Sequence, residues 1–194
     1  MLEITAFENI SLDGVMQAPG RRDEDTRDSF PHGGWGMGYQ DEVMMEFAGE
    51  SMQGESGMLL GRRTYEDLLG YWTSTAEPNP FTDVLVNETK YVVSRSQDTT
   101  LQWPNSTLLP GDAVEHVTKL RQVTDLPLTI LGSGELVRSL QPAGLIDRYV
   151  LQIHPIILGA GKQLFGPSQR MNLTMSRSIT TNTGVIIAVY EAKR

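Results

Sequence analysis

Three short segments put phosphate-binding chemistry at the ends of apolar runs. Leu59-Leu60 leads into Gly61-Arg62-Arg63-Thr64, Val92-Val93 into Ser94-Arg95-Ser96, and Ile130-Leu131 into Gly132-Ser133-Gly134-Glu135-Leu136. A glycine turn lets backbone approach a phosphate, and the start of a following helix adds N–H donors and positive dipole. Arginine forks and hydroxyls supply donors for the remaining oxygens. In open parallel sheets, ligands bind beyond the carboxyl ends of the strands. Three such turns therefore point to a ligand with several phosphates. Val137 stands where the six-residue dinucleotide fingerprint has its last glycine, so that fingerprint is absent. The plainer alternatives are tight turns at Gly132 and Gly134, a solvated pair at Arg62 and Arg63, and a local turn bond at Arg95.

Other residues offer weaker chemistry. Asp13, in Ser11-Leu12-Asp13-Gly14, reads either as a polar anchor assisting proton delivery or as an Asp-Gly turn. Trp35, Met37 and Tyr39 lie in a glycine-rich stretch and read as a lid over a flat heterocycle or as loop packing. His32, His116 and His154 share no ligand spacing, and there is no cysteine, so neither a metal site nor thiol chemistry is expected. His154, before Pro155, reads as a strand residue with a satisfied ring, and Asp147 as a local cap. Ser133 has no His-Asp partner at a recognisable elbow, which argues against hydrolase chemistry. Met44, Met45 and Met52 read as helix core or edge, and Asp23-Glu24-Asp25 with Arg21-Arg22 as a solvated loop.

These residues need a scaffold. Residues 2–9 alternate loosely as a strand, and 17–40 form a long polar loop. Asp41 caps a helix over 42–53. A strand at 57–60 is followed by a helix ending at Leu69, a loop over 70–80 with Pro78 and Pro80 as breakers, and a short helix at 81–87. Strands follow at 90–93 and 107–109, a helix at 112–122, a strand at 128–131 and a helix at 135–140. A long strand spans 146–158, and a C-terminal hairpin joins 171–181 to 184–191. The alternation of strand and helix implies a mostly parallel sheet with an antiparallel edge at the C-terminus. The whole chain, 1–194, reads as one domain without internal repeats.

Composition narrows the classes further. The 194 residues carry 16 Lys+Arg and 24 Asp+Glu, a net charge of −8, which argues against a general nucleic-acid binder. No run of 18 apolar residues exists, and Met1-Leu2-Glu3-Ile4 opens no secretory signal, so a cytoplasmic protein is expected.

The quoted segments also carry a resemblance. Leu60-Gly61-Arg62-Arg63-Thr64-Tyr65-Glu66, Lys90 to Ser96 and Gly132-Ser133-Gly134-Glu135-Leu136 resemble the cofactor segments of the dihydrofolate-reductase-like fold. Ser11-Leu12-Asp13-Gly14 and the segment from Leu145 to Phe165, with His154-Pro155-Ile156-Ile157-Leu158-Gly159, resemble the C-terminal reductase domain of bifunctional riboflavin-biosynthesis deaminase-reductases and its stand-alone relatives. The match covers essentially the whole chain, with the motifs in order.

The resemblance implies a three-layer α/β fold with helices on both faces of the sheet, and an NADPH-dependent reductase acting on a small heterocycle. By position, Gly61, Arg62, Arg63 and Thr64 would hold cofactor phosphates. Ser94 and Arg95 would meet the 2′-phosphate, and Gly132, Ser133, Gly134, Glu135 and Leu136 would cradle the pyrophosphate. Asp13 would be the catalytic residue, and Trp35 and Asp41 would meet the substrate. Relatives pair through the region of the apolar 146–158 strand, which implies a homodimer. Leu131 replaces the glutamate usual before the glycine turn, Val15 stands where Lys or Arg is common, and the deaminase half is absent. These departures keep open a non-catalytic nucleotide-binding module of the same fold and, more remotely, a flavin-binding protein.

Overall fold

Alternation in the first strand turns Ile4, Ala6, Glu8 and Ile10 to one buried face. That strand, β1 (Ile4–Ser11), lies inside one eight-stranded sheet of order β4-β3-β2-β5-β1-β6-β8-β7. The computed structural model describes residues 2–51, 54–75, 80–167 and 170–193. Strands β2 (Gly57–Gly61), β3 (Thr89–Ser94), β4 (Ser106–Pro110), β5 (Leu128–Leu131) and β6 (Arg148–His154) run parallel to β1. β7 (Leu173–Thr180) and β8 (Ile186–Ala192) close the far edge as an antiparallel hairpin. The mostly parallel α/β architecture and the C-terminal hairpin read from the sequence are thus present.

Helices cover both faces. α4 (Ala113–Val123) and α5 (Gly134–Leu140) bury Val117, Leu120, Leu136, Val137 and Leu140 against Ile4, Ala6 and Ile130. On the other face α1 (Glu42–Ser51) buries Phe47, α2 (Arg62–Ser74) buries Tyr65 and Leu69, and α3 (Pro80–Asn87) buries Leu85. Among the described residues, no helix is long and apolar enough to cross a membrane.

Two boundaries differ from the sequence reading. The helix expected to end at Leu69 continues to Ser74, because Trp72 packs edge-on against Phe81 at 5.3 Å and the contact outweighs Gly70. The 146–158 strand ends at His154, because Pro155 has no N–H to continue the ladder. β6 is an interior strand between β1 and β8, and its Tyr149, Val150 and Leu151 are buried, while Ile157 beyond its end is exposed. Met52 and Pro78 lie outside the described residues.

Lys90 shows how the sheet tolerates a buried cation. Its side chain is wholly buried, yet the ammonium donates to the carbonyls of Leu85 (2.9 Å), Val86 (3.0 Å) and Glu88 (2.7 Å). It thereby caps the C-terminus of α3 and fixes that helix to β3. Lys90→Met leaves those carbonyls without the donor and should cost roughly 3 kcal/mol of stability, read from the urea unfolding midpoint. An unchanged midpoint would remove the lysine from the list of structural fasteners.

Candidate functional site

β2 and β5 are parallel neighbours, yet their chains leave the sheet in opposite directions. α2 follows β2 onto one face, and α5 follows β5 onto the other. This is a topological switch point, where a crevice opens beyond the strand ends. The two turns are stitched together across it. The Gly61 N–H donates to Ser133 Oγ at 3.0 Å, and Thr64 Oγ1 donates to the Gly132 carbonyl at 3.2 Å. Strand β3 pairs with β2 in a register that ends at Gly61↔Val93, so α2 begins with Arg62 and Arg63 beside the end of β3, where Ser94 and Arg95 follow. All three arginines therefore stand at one edge of the sheet.

Their environments differ. Arg62 is tied to Glu66 one turn further along α2, at 3.0 Å. Arg63 and Arg95 are exposed and make no ion pair among the described residues. α2 starts at Gly61 with no side-chain cap and no acidic residue in its first turn. Its opening N–H groups and dipole thus lie beside two unpaired guanidinium groups, which suits an anion.

The rest of the expected cradle is used differently. Ser94 Oγ is bonded inside its own turn, to Thr99 Oγ1 at 2.7 Å and to the Ser96 N–H at 3.2 Å. Gly134 is buried behind Met16, whose sulfur would lie 2.7 Å from a Cβ at that position. The glycine there serves a side-chain contact. Leu136 faces the core, and Glu135 is exposed, 3.6 Å from Arg27. Gly132, exposed with φ +63°, is the cradle glycine that reaches the crevice surface.

Asp13 is a fastener. Its carboxylate accepts from Ser11 Oγ (2.6 Å) and from the N–H groups of Gly159 (2.8 Å) and Leu158 (3.1 Å). These bonds, the Ser11 hydroxyl first, hold its pKa down at about 2. At neutral pH the carboxylate is ionised, and it holds the end of β1 to the segment at Leu158–Gly159. Asp41 caps α1 through the Met44 N–H at 2.9 Å, as expected. Its other oxygen accepts from the Thr183 N–H at 3.0 Å, so both oxygens are engaged.

Trp35 is buried, and its indole N–H donates to the Gln17 carbonyl at 2.7 Å. Its ring meets the His154 ring edge-on at 5.1 Å, and Tyr39 meets the same imidazole at 5.2 Å. His154 Nε2 pairs with Asn9 Oδ1 at 2.9 Å, while Nδ1 has no partner, and burial lowers the pKa to about 4. The ring is therefore neutral and only half satisfied. Beside this cluster lies a cavity of about 450 Å³ lined by Arg22, Phe30, His32, Trp35, Ile156 and Leu158. Both β1 and β6 end here, on the same edge as the arginine turns.

Two features escaped the sequence reading. The loop over 17–40 is pinned on both sides of the crevice. Arg21 meets Asp67 of α2 (Nη2 at 2.5 Å) and stacks on Tyr71, and Arg27 meets Glu135 of α5. The second is Glu8, 1% exposed in the middle of β1, level with the glycine turn that follows β5. Its signal was present in the sequence, as a carboxylate at an inward position of an alternating strand.

Because the folded pKa of Asp13 lies below its unfolded value, its contribution to stability is present above about pH 4 and lost as pH falls towards 2. Asp13→Asn should lower the Tm at pH 7 and flatten the fall in Tm between pH 4 and pH 2. An acid limb as steep as that of the parent protein would show the fastener to be unimportant.

With this geometry in place, comparison with known proteins gives consistent results. The model of the RibD C-terminal domain family matches residues 3–187. The protein YyaP of Bacillus subtilis, itself uncharacterized, is 33% identical over 140 residues, which is 69% of this chain and 72% of that one. A Shewanella sp. PV-4 structure named for riboflavin biosynthesis superposes with a TM-score of 0.67 at 22% identity, covering 100% of both chains. Dihydrofolate reductase from Enterococcus faecalis, solved with NADP(H), superposes with a TM-score of 0.61 at 14% identity, covering 99% of this chain and 97% of that one. The fold is thus that of the dihydrofolate-reductase-like proteins, and the chain belongs to the RibD C-terminal domain family.

Proposed function

We propose that the protein is an NADPH-dependent reductase that reduces a small heterocyclic substrate. The observation that carries this reading is the meeting, at one switch point, of the uncapped α2 N-terminus, the Gly132 turn and the unpaired Arg63 and Arg95. Membership of the family and the NADP(H) bound to the Enterococcus faecalis neighbour support it. When bound, the cofactor would supply hydride to a carbon of a C=N or C=O bond.

The residues present fit that cofactor. The α2 N–H groups and Arg63 would meet the central phosphates, and Gly132 allows close backbone approach. Arg95, on the neighbouring turn, would meet the 2′-phosphate, an anion for which a free 2′-hydroxyl is no substitute. The cavity beside Trp35 would receive the substrate ring, with Phe30 and Trp35 as apolar walls and Arg22 as a cation at the rim. The loop pinned by Arg21–Asp67 would exclude water from both. Neither Asp13, ionised and filled with donors, nor His154, neutral and buried, supplies the proton that follows reduction.

That lack of an obvious donor favours a second reading, a nucleotide-binding module that keeps the fold without the reaction. NADPH oxidation measured against pterins, pyrimidine ribityl precursors and dicarbonyls separates the two. Turnover of any of them supports the reductase, and tight binding without turnover supports the module.

Calorimetry should give micromolar NADPH binding with NADH at least about tenfold weaker, and Arg95→Ala should bring the two affinities together. Absence of binding for both nucleotides would sink the reading. An unchanged ratio in the variant would move the 2′-phosphate away from Arg95.

A further inference from the structure

Glu8 is a buried carboxyl that no part of the reaction described so far uses. It lies on the face of β1 that also carries Ile4, Ala6 and Ile10, one residue past the Phe7↔Leu131 pair and so level with the β5 turn. Oε1 has no hydrogen-bond partner, and the pull of the nearby Gly132 and Ser133 N–H groups favours the charged form without offsetting burial. These are backbone donors of the same turn whose outer surface, at Gly132, forms one wall of the crevice. A carboxylate and a bound phosphate would thus flank one turn, and like charges in a poorly solvated setting repel.

The charged groups around Glu8 reinforce that conflict. From the loop over 17–40, Glu24 adds a second negative charge. On α5, Glu135 is exposed and faces Arg27. β6 places Leu151 opposite Glu8, and its His154 lies on the other face of the sheet against Asn9. β5 offers no titratable side chain.

We propose that Glu8 must be a neutral carboxylic acid for the crevice to take a pyrophosphate-bearing ligand, and that its ionisation expels that ligand. The proposal rests on the nucleotide reading above. Burial agrees with it, since desolvation lifts the Glu8 pKa to about 8 against the pull of the two N–H groups. Affinity is then full below pH 8 and falls as pH rises through that value.

NADPH fluorescence titrations of the full chain from pH 6.5 to 9.5 test this. The parent protein should lose roughly tenfold in affinity for each pH unit above 8, and Glu8→Gln should hold its affinity within about threefold over the range. A parent profile flat across pH 8, or an equal slope in both proteins, would overturn the proposal while leaving the nucleotide reading intact. No NADPH binding at any pH in either protein would instead remove the nucleotide reading, and the proposal with it.

A second measurement needs no ligand. A raised folded pKa means that stability present below the unfolded carboxyl value is lost as pH rises towards 8. The Tm of Glu8→Gln should therefore gain on that of the parent between pH 4 and pH 8. A constant difference over that range would show that folding does not raise the Glu8 pKa and would overturn the proposal.

Discussion

The structure depends on the divergence of two adjacent parallel strands. β2 and β5 share a ladder only at Gly57↔Leu128 and Met58↔Thr129, and then their chains turn to opposite faces. Divergence leaves backbone donors and acceptors without ladder partners. Ser133 and Thr64 take up part of that loss through Gly61 and Gly132, which keeps the crevice narrow and its turns in register. The two cations proposed to meet the phosphates, Arg63 and Arg95, are placed by this junction and by the β3 strand hydrogen-bonded beside it.

A second layer of structure holds the long 17–40 loop over the strand ends. Its polar residues look solvated in sequence, yet Arg21, Glu24 and Arg27 each hold a defined partner. Glu24 accepts from the Gly20 and Arg21 N–H groups, and Arg27 pairs with Asp25 and Glu135. Asp13 performs the same service on the other side, joining the end of β1 to the segment at Leu158–Gly159. The site is therefore built less by helices than by loops made rigid through carboxylate–N–H and carboxylate–guanidinium bonds.

A net charge of −8 is compatible with anion binding because the field is local. Many of the acids are already matched, as in Asp67–Arg21, Glu66–Arg62 and Glu191–Arg148. Arg63 and Arg95 stand apart from that network at the sheet edge.

The sequence by itself determined the elements, the mostly parallel sheet with its antiparallel C-terminal edge and the three turns, because hydrophobic period, glycine turns and chain order act over short spans. It carried the Asp41 cap for the same reason, as a donor–acceptor match three residues long. Tertiary structure decided what those spans could not. What Asp13 fastens depends on N–H groups 145 and 146 residues away. Whether Gly134 faces a ligand or Met16, and whether Arg62 or Arg63 is free, depends on neighbours set by packing. Glu8 is the clearest case. Its inward phase is written in β1, but its surroundings, two N–H groups and an apolar core, exist only once β5 and α5 close over it.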